Sequence, residues 1–136
     1  MFSCKPIYIL IVCIFLASCI SPTSQEPGTI SHSELKALLQ KRSPEVVILD
    51  LRTTKEVNET GVIPGATVKD FFSEDIEQYF SRLEKDKEYV IYCKSGGRSG
   101  RAYKNLKRLG LNVRDYSDGI SGWLKRNEKT ARWVSR

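Results

Sequence analysis

The stretch Tyr89-Val-Ile-Tyr-Cys-Lys-Ser-Gly-Gly-Arg-Ser99 joins a short apolar run to a glycine-rich loop, and this junction decides the fold. Its first four residues form a continuous apolar run, which is typical of a strand buried on both faces of a parallel sheet. Beyond the loop, apolar residues recur at helical spacing, at Ala102, Leu106 and Leu109. Gly110 suits the C-terminal end of that helix. The pattern therefore predicts a strand, a loop at its carboxyl end and a helix.

The alternation of strand and helix patterns continues on both sides of this junction. Ser31-His-Ser-Glu34 has the pattern of a capping box, which begins a helix. Val46 to Leu49 is a second apolar, β-branched run, and it ends at Asp50. The remaining patterns are a short strand at 66–68, a helix beginning at Ser73, a strand over 111–116 and a short helix over 120–126. We therefore predict an α/β fold with a central, mostly parallel sheet flanked by helices.

The composition of the chain limits the kinds of molecule that we expect it to bind. The chain has 136 residues, enough for one modest domain, and its formal net charge is +6. Basic and acidic residues alternate along most of the chain, and it lacks the aromatic and basic platform that reads single-stranded nucleic acid. We therefore expect no nucleic-acid partner. The positive balance suits a small anionic substrate or an anionic headgroup surface equally well.

The first 18 residues have the layout of a secretory signal. Lys5 precedes an uncharged apolar run from Ile7 to Ala17, which is too short for a comfortable transmembrane helix. The run leads into Leu16-Ala-Ser-Cys19, which resembles the lipobox of bacterial lipoproteins. That resemblance implies cleavage before Cys19 and attachment of acyl chains such as palmitate, which together make a stable anchor. An uncleaved signal anchor, or an ordinary signal with a chance cysteine, is the alternative.

These features divide the chain into four parts. They are a signal peptide over 1–18, a lipidated cysteine with a flexible tether over 19–28, a domain over 29–127 and a basic C-terminal tail over 128–136. We expect the protein in the bacterial cell envelope, lipid-anchored at Cys19, with its domain outside the cytoplasm. Ile20 follows the lipidated residue in place of the Asp associated with inner-membrane retention, which slightly favours the outer membrane. The basic tail is either solvated or in contact with lipid headgroups.

Of the cysteines in the chain, only one is expected to keep a free thiol in the mature protein. The chain has four cysteines, of which Cys4 and Cys13 lie in the predicted signal peptide and Cys19 would carry the lipid. Cys93 is then the single free thiol of the mature protein. A lone cysteine in an exported protein indicates reactivity or intermolecular pairing, and the alternative is a buried strand residue that acts as a small hydrophobe.

The Cys93 loop, residues 93–99, has the features of an anion-binding site. Its two glycines let the backbone turn its N–H groups inward, and the following helix adds the positive end of its dipole. Such surroundings favour a thiolate and lower the pKa of a cysteine. The two cationic residues add charge, and the two serines either bind sulfur or cap the helix. The candidate substrate-binding residues are Lys94, Ser95, Gly96, Gly97, Arg98 and Ser99.

Four segments, in this order, resemble the motifs of the rhodanese family of sulfurtransferases. They are Ile48-Leu-Asp-Leu-Arg52, Glu56 with Gly61-Val-Ile-Pro-Gly-Ala66, the Cys-x4-Arg-Ser of the Cys93 loop, and Asp118-Gly-Ile-Ser-Gly-Trp123. The sequence departs from the family at Val62, where His is usual, and at Asp118, where Gly is frequent. The chain is identified as a single-domain member over about residues 29–127, which implies the rhodanese-like fold.

The resemblance implies a two-step sulfur transfer that needs no cofactor and no metal. Cys93 would attack the outer sulfur of a small anionic donor such as thiosulfate, and the resulting persulfide would pass its sulfur to a thiol or cyanide acceptor. Asp50, Arg52 and Trp123 are expected to be structural. The single histidine, His32, lies in the first predicted helix, so a Cys–His hydrolase is not expected.

Two other classes of function stay open. Cell-cycle dual-specificity phosphatases and arsenate reductases share this fold, but their loop is one residue longer than the four residues between Cys93 and Arg98. A persulfide carrier or an oxidant sensor would use the same cysteine with little turnover. Many rhodanese domains lack this cysteine and only bind partners, and the presence of Cys93 disfavours that version.

Overall fold

The computed structural model describes residues 28–134, along which helices and strands alternate. In chain order the elements are α1 (His32–Lys41), β1 (Val46–Asp50), α2 (Thr54–Thr60), β2 (Thr67–Val68), α3 (Ile76–Ser81), β3 (Glu88–Tyr92), α4 (Gly97–Arg108), β4 (Asn112–Asp115) and α5 (Gly119–Lys125). Parallel strands need crossover connections, and the helices between consecutive strands supply them.

The strands form one sheet in the order β2-β1-β3-β4, and each neighbouring pair is parallel. The two central strands carry the most apolar sequences, as expected for strands covered on both faces. Asp50 pairs with Tyr92 at the end of the register between β1 and β3, so both strands end at the same edge. The predicted α/β fold with a parallel central sheet is confirmed.

Side chains alternate along β3 and separate the core into two clusters. Tyr89, Ile91 and Cys93 point to a face covered by α3 and α4, which we call the α4 face. Val90 and Tyr92 point to the opposite face, covered by α1 and α5, which we call the α1 face. The nucleophile candidate is therefore part of the core beneath α4.

Two predicted helix boundaries are confirmed by their hydrogen bonds. At α1, Ser31 Oγ accepts the Glu34 N–H, and the Ser31 N–H donates to Glu34 Oε2 at 2.9 Å, which completes the capping box. At the end of α4, Gly110 has a φ of +77°, and its N–H and that of Leu111 donate back to Lys107 and Leu106. This is the Schellman arrangement that glycine favours.

Helix α2 occupies a polar stretch to which the sequence patterns assign no element. It buries only Val57, so it lacks the apolar period from which a helix is recognised. Its start is nevertheless encoded, since Thr53 and Glu56 form a second capping box. Helix α3 begins at Ile76, later than the predicted Ser73, because the Ser73 hydroxyl bonds to the carbonyl of Asp70 in the preceding turn.

The C-terminal segment, Glu128 to Val134, lies against the domain. Ala131 and Val62 form an antiparallel bridge, with hydrogen bonds of 2.8 and 2.9 Å. The indole N–H of Trp123 donates to the carbonyl of Lys129 at 3.0 Å. The segment predicted as a basic tail is thus attached to the domain as far as it is described.

The predicted signal peptide and Cys19 lie outside the described residues. Between residues 28 and 134, no helix has the length and apolarity to cross a membrane.

Candidate active site

Cys93 directly follows β3, and the loop after it runs into the N-terminus of α4. The loop therefore lies at the carboxyl edge of a parallel sheet, where open α/β sheets bind ligands. The Cys93 side chain is only 2% exposed, whereas Lys94 and Ser95 are exposed. The predicted strand, loop and helix arrangement is confirmed.

Close backbone approaches fix the shape of the loop. Gly96 has a φ of +89°, and a Cβ there would lie 2.7 Å from the carbonyl oxygen of Ser117. Gly119 has a φ of +60°, and a Cβ there would lie 2.4 Å from the carbonyl oxygen of Lys94. Both positions require glycine. Gly97 begins α4 and has open space around it, so of the two loop glycines only Gly96 needs its conformational freedom.

The start of α5 also holds the loop through hydrogen bonds. The Ile120 N–H donates to the Cys93 carbonyl at 2.9 Å, and the Ser121 N–H donates to the Lys94 carbonyl at 3.0 Å. These bonds satisfy the carbonyl groups of Cys93 and Lys94. The N–H groups of Ser95, Arg98 and Ser99 act on the Cys93 sulfur, as expected for an anion-binding loop.

The pKa of Cys93 is lowered by its surroundings. Burial raises it, but the backbone N–H groups of Ser99, Ser95 and Arg98, with the Ser99 hydroxyl, lower it by more. Ser99 is fully buried, and its Oγ lies 3.6 Å from Cys93 Sγ. The expectation of an activated thiol at a ring of N–H groups agrees with this geometry.

The guanidinium group of Arg98 forms a bidentate ion pair with the carboxylate of Glu56 on α2. Its Nη1 and Nη2 donate to the two carboxylate oxygens at 2.7 and 2.6 Å. The hydrogen bonds from Arg98, together with the Thr53 cap, lower the pKa of Glu56 to about 2 although partial burial acts in the opposite direction. The charge of Arg98 is therefore largely compensated. Lys94, in contrast, forms no ion pair among the described residues.

A second ion pair is buried at the end of β1. Arg52 is 1% exposed and donates to Asp50 at 2.6 Å, and it also donates to the Gly61 carbonyl and the Thr60 hydroxyl. These contacts connect the end of β1 to the turn after α2, while Trp123 belongs to the core. The burial of Asp50, Arg52 and Trp123 agrees with the structural roles predicted for them.

The chain's one imidazole lies on the α1 face, away from Cys93. His32 contacts the Tyr116 hydroxyl at 3.1 Å and the Glu128 carboxylate at 3.0 Å. A Cys93 nucleophile with a histidine base is thus not formed. Within residues 28–134, no three His, Cys, Asp or Glu side chains are grouped to hold a metal ion.

Three features of the site were not assigned from sequence. Glu56 was recognised only as a family position, although the Thr-x-x-Glu pattern that caps α2 also fixes the carboxylate that Arg98 binds. The close approach of Gly119 depends on how α5 packs on the loop, which no local pattern reveals. Asp115, at the end of β4, is buried on the α4 face, and the strand pattern over 111–116 assigns it no role.

Comparisons with known proteins agree with this architecture. A model of the rhodanese-like domain matches residues 31–126. The putative sulfurtransferase YtwF of Bacillus subtilis is 35% identical over 94 residues, which cover 69% of this chain and 87% of that protein. A sulfurtransferase of Allochromatium vinosum is 34% identical over 82 residues, which cover 60% of this chain and 74% of that protein.

A solved structure extends the likeness to three dimensions. The rhodanese-related protein of Thermoplasma volcanium has a TM-score of 0.67 at 26% identity, and the match covers 77% of this chain and 98% of that one. The family match runs from α1 through α5 and includes the Cys93 loop. The chain therefore belongs to the rhodanese-like domain family, and sulfurtransferases are among its relatives.

Proposed function

We propose that this protein is a sulfurtransferase that carries sulfane sulfur as a persulfide on Cys93. The observation that carries the proposal is the thiol itself. It is buried beneath α4, and loop N–H groups lower its pKa. Such a site stabilises negative charge on sulfur before and after transfer, since preorganised N–H groups need no reorganisation during the reaction.

In the first half-reaction, the Cys93 thiolate attacks the outer sulfur of thiosulfate. A bond forms between Sγ and that sulfur, while the bond between the outer sulfur and the sulfonate sulfur breaks. The bonding electron pair leaves with sulfite, so the charges balance and no proton is transferred. The persulfide's terminal sulfur then carries the negative charge, near the N–H groups of Ser95, Arg98 and Ser99.

In the second half-reaction, an acceptor nucleophile attacks the terminal sulfur. Cyanide yields thiocyanate, and a thiolate yields its own persulfide; in each case the electron pair returns to Sγ. The departing Cys93 thiolate is a good leaving group because its pKa is lowered. No general acid is needed, which fits a site without a nearby imidazole.

The charge distribution supports a dianionic donor. Lys94 lies in the loop, is exposed and forms no ion pair among the described residues, so its ammonium group is available to attract thiosulfate. Arg98 contributes less charge because Glu56 compensates it. The four residues between Cys93 and Arg98 favour sulfur transfer over phosphate or arsenate chemistry, because the related loops for tetrahedral oxyanions are longer.

We further propose that the protein is a lipoprotein of the bacterial cell envelope, anchored through acyl chains on Cys19. The apolar run before Cys19, the small residues at its end and the Ser-, Pro- and Gly-rich stretch after it support this assignment. The thiol or cyanide acceptor would then meet the domain outside the cytoplasm.

The decisive experiment measures the intact mass of the protein from Ile20 onward after incubation with thiosulfate. We expect a gain of about 32 Da, one sulfur atom, that cyanide removes with release of thiocyanate. Cys93→Ala should gain no mass. If neither thiosulfate nor another sulfane donor adds mass, the enzyme proposal fails. A stable sulfenic acid at Cys93 after mild oxidation would then favour an oxidant sensor.

A further inference from the structure

A buried carboxyl group lies on the same face of the sheet as Cys93. Asp115 ends β4, pairs in register with Ile91 on β3 and is 7% exposed. Its Oδ1 has no hydrogen-bond partner among the described residues. Since an unpartnered buried carboxyl costs free energy, a fold that retains one invites a functional explanation.

Ser99 lies between this carboxyl group and the sulfur. The Ser99 hydroxyl interacts with the Asp115 side chain, and the neighbouring Gly100 lies close enough that a Cβ there would be 3.8 Å from Asp115 Oδ2. On its other side, the same hydroxyl lies 3.6 Å from Cys93 Sγ and 3.3 Å from the Gly96 carbonyl. The carboxyl group of Asp115, the hydroxyl of Ser99 and the thiol of Cys93 therefore lie next to one another, in that order, beneath α4.

No charged side chain among the described residues compensates Asp115. From α4 the carboxyl group meets Ser99 and lies near Gly100, and Asp115 is paired with Ile91 on β3. The main chain of Asp115, and not its carboxyl group, bonds to the backbone of Gly28 and Ile30 in the N-terminal segment. Its neighbour Arg114 pairs with Glu88 instead. Burial raises the pKa of Asp115, and the Ser99 hydroxyl offsets only part of this effect. Burial without a counter-charge therefore shifts the balance of this carboxyl group toward its neutral form.

We propose that Asp115 is a positioning residue that acts on Cys93 through Ser99. The protonated carboxyl donates a hydrogen bond to Ser99 Oγ, which leaves the proton of Ser99 to be donated to the Cys93 thiolate or to the persulfide. An ionised Asp115 would instead accept the Ser99 proton, so the hydroxyl would turn away from the sulfur, and it would add a negative charge nearby. Protonation of Asp115 therefore sets the direction of the hydrogen bonds that stabilise the nucleophile.

The inference rests on the proposed function only in taking Cys93 as the nucleophile. Its test therefore uses alkylation, which needs no sulfur donor. The full chain is treated with iodoacetamide over a range of pH, and peptide mass spectrometry follows Cys93 separately from Cys4, Cys13 and Cys19. The rate against pH gives the apparent pKa of the Cys93 thiol, which a purely structural role of Asp115 would not move.

We expect Asp115→Ala to raise the apparent pKa of Cys93 by about one unit, the size of a lost hydrogen bond to a charged group. Asp115→Asn retains a donor without an ionisable proton, so it should stay within about 0.3 units of the wild type. Ser99→Ala should raise the pKa as Asp115→Ala does, and the double variant should raise it no further.

Three results would overturn the proposal. The first is an unchanged or lowered pKa in Asp115→Ala, since a lowered value would mean that Asp115 is ionised there, and the second is an equal rise in Asp115→Asn. The third is a full additional shift when Asp115→Ala is combined with Ser99→Ala, because the effect would then not pass through Ser99. If Asp115→Ala does not fold, Asp115→Leu replaces it, because leucine fills the space without a hydrogen-bond donor and should raise the pKa as alanine does.

Discussion

Arg98, where the Cys93 loop enters α4, forms an ion pair with Glu56 on α2 through two hydrogen bonds of 2.6 and 2.7 Å. Glu56 also accepts the Thr53 N–H at 3.0 Å, so one carboxylate both caps its own helix and holds the loop. The helix that the apolar pattern missed thereby becomes the support of the site. A charge-assisted pair with both partners largely shielded contributes more than an exposed pair would.

Glu56→Gln should weaken both the cap and the loop. The amide cannot accept as the carboxylate does, and Arg98 would be left without its counter-charge. Because the Glu56 side chain retains 26% exposure, solvent screens part of the interaction, and we expect a loss of about 1–2 kcal/mol in the free energy of unfolding. Urea unfolding at neutral pH measures it. Glu59→Gln, on an exposed site of the same helix, is the matched control, and an equal loss there would refute the assignment.

The acid dependence of stability follows from the same pair. The pKa of Glu56 is lowered from 4.5 to about 2, so its contribution is present above pH 4.5 and is lost as pH falls toward 2. Wild type and Glu56→Gln should therefore differ in free energy of unfolding at pH 7 and converge in that acid window. A constant difference across the window would exclude the ion pair as its cause.

Lys94→Ala should weaken capture of thiosulfate more than it slows the chemistry. Lys94 is an exposed residue of the loop, and the attraction of its ammonium group to a dianion acts before sulfur transfer. We expect KM for thiosulfate to rise about threefold to tenfold with kcat nearly unchanged, and the effect to shrink at high salt. Lys104→Ala, an exposed lysine on α4, provides the control. Equal effects of the two variants would mean that net charge alone is responsible.

Gly96→Ala should be far more costly than Gly110→Ala. Both glycines have a positive φ, +89° and +77°, so both substitutions incur about 1 kcal/mol of backbone strain. At Gly96 the added Cβ would also lie 2.7 Å from the Ser117 carbonyl, whereas at Gly110 it meets nothing. We expect a further loss of about 2 kcal/mol or more at Gly96 in thermal or urea unfolding. Similar stabilities of the two variants would contradict the close approach.

Ala131→Pro should detach the C-terminal segment. Proline removes the N–H that donates to the Val62 carbonyl at 2.8 Å, and we expect a loss of about 1–3 kcal/mol. Arg132→Pro, one residue on, removes an N–H that makes no backbone bond among the described residues, so it should cost little. Hydrogen exchange at Val62, whose N–H donates to Ala131, reports detachment directly. Protection retained there in Ala131→Pro would show that the bridge is dispensable.

The proposed lipid anchor depends on one sulfur atom. In a bacterial host that processes lipoproteins, the wild type should incorporate labelled palmitate and sediment with membranes, while Cys19→Ser should do neither. Cys13→Ser, within the apolar run, should still be labelled. Label remaining in Cys19→Ser would refute lipidation at this residue, and density separation of the two membranes would test the preference for the outer one.

The elements that are best predicted from sequence are those whose buried residues recur at a regular spacing along the chain. The apolar runs of β1 and β3, the capping box at Ser31 and the helical spacing after the Cys93 loop specify the sheet and the position of the nucleophile. Family resemblance adds the identity of the loop. All of these features depend on neighbours within a few residues.

The features that escaped prediction depend on distant partners. α2 buries a single side chain, so its capping box was the only signal. The compensation of Arg98 by Glu56 joins residues 42 positions apart, and the burial of Asp115 arises where α4 crosses the end of β4. The polar sequence of the C-terminal segment gives no sign that it is attached to the domain, because its contact with Val62 is made by backbone groups.

The bridge between Thr29 and Asp115 places the entry of the chain at the same edge of the sheet as Cys93. Eight residues, 20–27, separate Cys19 from the first described residue, and fully extended they span at most roughly 30 Å. With lipid on Cys19, the rim of the domain nearest the thiol could not rise farther than this above the headgroups. Under the proposed anchor, any sulfur acceptor, small thiol or protein, would therefore have to meet the domain close to the membrane surface.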